Sequence, residues 1–254
     1  MSASESRRTV RRPSTPPRAK QGSRHGPLLL LLVALLTASA SFYFFVQGGD
    51  LSAVGIGSGS DDRSASALLQ KDPNTPTIKD LNELRATYGD PADATYGRIS
   101  IPSIGVDAPL GVRVVGEDGQ MQDPTGPSDV VWYDFKNMPG FGGIPGAGHN
   151  AVFAGHVDRA AYLDYAGVNY IGAGIFYSIG GLEPGDIIEV TVGGKTLQYM
   201  VAWAEDVKTS SAEWGELLSS EVGIDSITLI TCGGEFDAET HAYTKRTVVR
   251  ATRA

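Results

Sequence analysis

The chain contains a single cysteine, Cys232, in 254 residues. One thiol excludes an internal disulfide and any zinc site built on several cysteines. It leaves two fates for that thiol, buried and inert or exposed and reactive. The four histidines form no HxH or HExxH spacing, and Asp158 and Asp164 are too scattered for a calcium loop. No metal and no cofactor are therefore expected. No Gly-X-Y repeat is present, which excludes a collagen-like chain, and a hydrophobic share of 41% is too high for a disordered one. Basic residues are also in deficit, 21 against 29 acidic, for a formal charge of −8. That balance argues against a general nucleic-acid binder.

The charge is unevenly spread. Residues 1–27 hold seven basic side chains and one acidic, a net of +6, so the rest of the chain carries −14. Leu28 to Val46 is the one long apolar run, nineteen residues without a charge. As a helix it measures about 28 Å, close to the thickness of a bilayer core. Basic flanks stay inside, which predicts a cytoplasmic tail (1–27), a single transmembrane anchor (28–46) and an extracytoplasmic remainder at the cell membrane. Ala38-Ser39-Ala40 offers a signal-peptidase alternative, but the apolar run continues past it.

Residues 47–93 read as a linker. Gly, Ser, Asp and Pro dominate up to Pro76, and Ile78, Leu81 and Leu84 predict a short helix over 78–88, stopped by Gly89-Asp90-Pro91. Residues 94–254 are long enough for an independent core. Short runs rich in Val, Ile and aromatics predict strands at 97–101, 112–115, 130–133, 151–154, 175–179, 187–192, 197–204, 227–231 and 247–251. Gly193-Gly194 marks a hairpin, and 213–220 predicts a turn or two of helix. This is an all-β pattern, consistent with a closed barrel or a sandwich.

Three side chains carry candidate chemistry. Cys232 ends an apolar strand and precedes Gly233-Gly234, which puts a nucleophile at a rim with room for a substrate backbone. His156 ends the strand Ala151-Val-Phe-Ala-Gly155, and an imidazole near a thiol can stabilise a thiolate and hand a proton to a leaving amine. Arg246 opens the strand after Cys232, where a guanidinium can steady a thiolate or a developing oxyanion. Arg250 shares its face and competes for that role. His149 and His241 read as solvated.

These residues resemble the sortases of Gram-positive bacteria. Thr228-Leu-Ile-Thr-Cys232 matches the TLxTC pattern at each fixed position, and Ala154-Gly-His-Val-Asp158 is similar to the segment around the sortase histidine. Arg98 to Asp107 resembles the first barrel strand, and the run from Cys232 through Phe236-Asp237, Tyr243 and Arg246 looks most like the actinobacterial class F group. The resemblance covers about 96–254. It implies a closed eight-stranded β-barrel with short helices and a membrane-held, monomeric cysteine transpeptidase. Such an enzyme cleaves an LPxTG-type sorting signal between Thr and Gly through a thioacyl intermediate and transfers the acyl group to a cell-wall amine. It implies Cys232 as nucleophile, His156 as acid and base, Arg246 at the substrate carbonyl, and Thr231 as a contact to substrate. A secreted cysteine hydrolase is the nearest rival, disfavoured relative to papain-like enzymes because His156 precedes Cys232. A non-catalytic anchored barrel is the other, and it predicts that Cys232→Ala leaves function intact.

Overall fold

The computed structural model describes Leu69, residues 72–237 and residues 242–254. The tail, the anchor, most of the linker, His25 and His241 lie outside the described residues. Eight strands close into a barrel in the order β10-β11-β9-β8-β2-β3-β4-β5. They are β2 (Gly97–Ile101), β3 (Val106–Val114), β4 (Val130–Asp134), β5 (Asn150–Gly155), β8 (Ile187–Val192), β9 (Lys195–Lys208), β10 (Ser226–Asp237) and β11 (Ala242–Arg253). Neighbours run antiparallel except at β3–β4 and β5–β10, which are parallel. Alternation sets the interior: Ile99, Ile101, Leu110, Phe153, Ile188, Val190, Ile227, Leu229 and Val249 face inward and are buried together. Gly193 and Gly194 join β8 to β9 with φ of 56° and 75°, the double left-handed geometry of a type I′ hairpin.

A smaller sheet packs beside the barrel, in the order β1-β7-β6, from β1 (Thr77–Ile78), β6 (Asp158–Leu163) and β7 (Val168–Ala173). Helix α1 (Leu81–Tyr88) starts where the Asp80 carboxylate accepts from the Glu83 N–H at 2.8 Å, and it ends at Gly89. Eight residues are too few to hold a helix alone. Its stability comes from Leu84, fully buried against Ile78, Leu163, Val168 and Tyr170. The segment expected as linker up to residue 93 thus includes two elements docked on the domain.

Two expected strands change and one hairpin is added. The run 175–179 is a turn entering a 3-10 helix (Ile179–Gly181), not a strand. Ile175, Phe176 and Ile179 are apolar because they plug the barrel core, so burial without periodicity imitated a strand. The β6–β7 hairpin was absent from the sequence reading, since Gly172, Arg159 and Asn169 interrupt its apolar pattern. The strand expected at 112–115 begins earlier, at Val106, and pairs with the whole of β2. The predicted helix at 213–220 is one turn, α2 (Trp214–Leu217).

Candidate active site

The site is assembled on the outer face of the wall formed by β5, β10, β11 and β9. Odd-numbered residues of β10, such as Ile227 and Leu229, enter the barrel core. Ile230 joins an outer apolar cluster with Val131, Tyr133, Val152, Ala154 and Trp214. Cys232 continues the outer row. Its cross-strand partner on β11 is Arg246, and an opposed pair in a sheet projects to the same side within contact distance. Arg246 in turn faces Val207 on β9. The rungs between β5 and β10 end at Ala154–Ile230. Two residues further along each chain come His156 and Cys232, on the face that Ala154 and Ile230 already share.

Thr231 projects the other way. It is 3% exposed, and its hydroxyl donates to the Gly155 carbonyl at 2.7 Å. The bond ties the residue before the imidazole to the residue before the thiol. The motif's first threonine also has a packing role. Thr228 donates to Asn150 Oδ1 at 2.7 Å, while the Asn150 amide donates to the carbonyls of Leu217 and Ser219, both at 3.1 Å. Arg250 donates to the same Leu217 carbonyl at 2.8 Å, which gives it a different task from Arg246. Together they hold the α2 loop over the outer face. Between this loop and Val207 lies a cavity of about 350 Å³, lined by Val207, Lys208, residues 211–213, Glu216 and Leu217.

Gly233 is required by its neighbours: a Cβ there would sit 2.5 Å from the Thr247 hydroxyl oxygen. Gly234 has φ of 76°, in the left-handed region. The pair lets β10 bulge past the cysteine, where the β10–β11 register shifts. Beyond the bulge, Phe236 packs edge-on against Tyr243 with ring centres 5.3 Å apart, and the Tyr243 hydroxyl donates to Asp158. The extended hairpin is thereby fastened to the strand that follows His156.

Electrostatics favour neutral forms of both reactive groups. Burial pushes the Cys232 thiol up. Arg246 opposes that, and the carboxylates of Asp123 and Asp158 reinforce it. Burial lowers His156 to about 4, helped by the Arg159 guanidinium and opposed by Asp123, the Pro124 carbonyl and Asp158. The fold therefore favours a neutral thiol at Cys232 and a neutral imidazole at His156. Arg246 is buried and donates to the carbonyls of Tyr243 and Lys245 at 3.1 and 2.9 Å, which fixes its guanidinium near the rim. Sequence reasoning missed Asp123, Pro124 and Arg159, which lie in a loop and a hairpin with no periodic pattern.

Residues 99–254, more than half of the chain, match the family model described as a Sortase domain. The chain belongs to the sortase family. Sortases are cysteine transpeptidases that act on proteins bearing sorting signals, and the lone cysteine lies within the matched sortase region. Among solved structures, the chain is similar to sortase A from Corynebacterium diphtheriae, at 21% identity and a TM-score of 0.47, covering 89% of this chain and 85% of that one. It is also similar to sortase C from Clostridium perfringens SM101, at 22% identity and a TM-score of 0.43, covering 63% and 69%. Sortase E1 from Streptomyces coelicolor, solved with a tripeptide in its active site, is 20% identical with a TM-score of 0.45, covering 64% and 90%. No curated protein matches the chain.

Proposed function

We propose that this sortase cleaves an LPxTG-type signal between Thr and Gly and transfers the acyl group to a cell-wall amine. Cys232 attacks the Thr carbonyl and forms the thioacyl enzyme. His156 protonates the departing Gly amine and then takes a proton from the incoming amine. Arg246 holds the carbonyl oxygen as it becomes an oxyanion. The observation that carries this reading is the Cys232–Arg246 rung, with His156 two residues beyond the last β5–β10 rung. The cavity beside Val207 continues the same face and suits the acyl side of an extended peptide. Thr231 acts as a positioning residue, through Gly155. The nineteen apolar residues at 28–46 hold the enzyme at the membrane with its barrel outside the cell.

The test is mass spectrometry of the full chain incubated with an LPxTG peptide and a glycine-type amine. The expected species are a thioacyl adduct on Cys232 and a peptide joined to the amine, both lost in Cys232→Ala. Hydrolysed peptide in excess amine, with no ligated product, would refute transfer. No adduct with any sorting peptide would refute the nucleophile.

A further inference from the structure

Nε2 of His156 has two neighbours with opposite requirements. Arg159 Nη1 lies 3.4 Å away, and so does the Pro124 carbonyl oxygen. A guanidinium only donates, so contact with Arg159 requires a lone pair on Nε2. A carbonyl only accepts, so contact with Pro124 requires a proton there. One nitrogen satisfies one of them at a time.

Arg159 is well placed to win at rest. It leaves β6 three residues after the histidine, and no carboxylate is paired with it in any ion pair among the described residues. Its Nε is buried without a hydrogen-bond partner, so the guanidinium is held by packing and directed to the imidazole. The two nearby carboxylates are differently engaged. Asp158 accepts from the Tyr243 hydroxyl, and Asp123 lies in the loop ahead of β4, next to Pro124. Other charged or titratable groups facing this corner are Cys232 on β10, Arg246 and Tyr243 on β11, and Tyr133 on β4.

We propose that Arg159 is a positioning residue for His156: its guanidinium donates to Nε2, selects the Nδ1–H tautomer and keeps the imidazole neutral in the free enzyme. Any imidazolium lacks a lone pair. Proton transfer from Cys232 therefore breaks the Arg159 bond, sets two cations side by side, and turns the new Nε2–H to the Pro124 carbonyl. The arrangement keeps the thiol quiet until substrate arrives and makes the imidazolium a strong acid for the leaving amine. This inference rests on the assignment of His156 as the acid and base. Its experiment does not need turnover, so the two fail separately.

The test is ¹⁵N NMR of the full chain with labelled histidine, the His156 signal being assigned by its loss in His156→Gln. The wild type is expected to show a bare Nε2 and a protonated Nδ1, and Arg159→Lys is expected to retain this. Arg159→Met is expected to move the proton to Nε2 and raise the His156 midpoint by roughly one pH unit. It is also expected to speed alkylation of Cys232 by iodoacetamide at neutral pH about tenfold, one unit of pKa being a factor of ten. A protonated Nε2 in the wild type overturns the proposal, whether or not the variants fold. So does a Met variant whose tautomer and midpoint match the wild type.

Discussion

Replacing Thr231 by Val removes one hydroxyl and little else, because the two side chains have nearly the same shape. The lost contact is the 2.7 Å bond to the Gly155 carbonyl, made by a side chain that is 3% exposed. A buried neutral hydrogen bond contributes about 1 kcal/mol net, and stranding its acceptor adds to that, for a total of about 1–3 kcal/mol. In a domain of this size each kcal/mol moves Tm by about 2–4 °C, so Tm should fall by roughly 2–12 °C. The bond joins the residues immediately before His156 and Cys232. Its loss loosens their spacing, so thioacyl formation should slow on the order of tenfold, with KM for the peptide unchanged. Thr231→Ser should restore both. The assays are thermal denaturation and single-turnover acylation. An unchanged Tm together with a raised KM would mean that the hydroxyl serves the peptide and not Gly155, and the reasoning would be wrong.

Three other outcomes are expected. A Cβ at position 174 would lie 2.2 Å from the His156 carbonyl oxygen and 2.8 Å from its Cβ. Gly174→Ala should therefore displace the histidine, costing about 1–3 kcal/mol in denaturant melts and most of the acylation rate. Tyr243→Phe frees Asp158 while keeping the ring packed on Phe236. It should raise amide hydrogen exchange in 233–237 and 242–245 and leave exchange in the β2–β3 pair unaltered. His156 takes up its proton near 6.5 in the unfolded chain but only at about 4 in the fold. The unfolded state thus binds the proton first, and stability falls as pH drops through that window, by on the order of 1–2 kcal/mol after allowing for partial exposure. Equilibrium melts of His156→Gln should lack this component, and an identical pH profile would contradict the shift.

Much of the barrel was legible because its strands are short, apolar and separated by turn residues. Val130–Tyr133, Ile187–Val192 and Ile227–Thr231 needed no tertiary information. The errors occurred where burial and periodicity part company. Ile175, Phe176 and Ile179 plug the core from a turn, while the β6–β7 hairpin alternates too weakly to register. Cys232 and His156 were readable as candidates from strand ends, since each follows an apolar run. Thr231 was not, because adjacency in sequence suggested a shared site, whereas strand alternation sends its hydroxyl to the opposite face. Asp123, Pro124 and Arg159 reach the imidazole from a loop and a neighbouring hairpin, a proximity that no local pattern encodes.

The β5–β10 pairing has a consequence for biosynthesis. The imidazole strand and the thiol strand are parallel neighbours drawn from distant parts of the chain, with Ala154 opposite Ile230. Such a rung forms only after a long stretch of polypeptide has been gathered, which is slow and entropically costly. It is also one of the two seams, with β2–β8, at which the first half of the barrel meets the second. A nascent chain still lacking β10 and β11 owns His156 but neither Cys232 nor Arg246. On the proposed assignment, reactivity is thus postponed until β10 and β11 have been added and the cylinder has zipped shut.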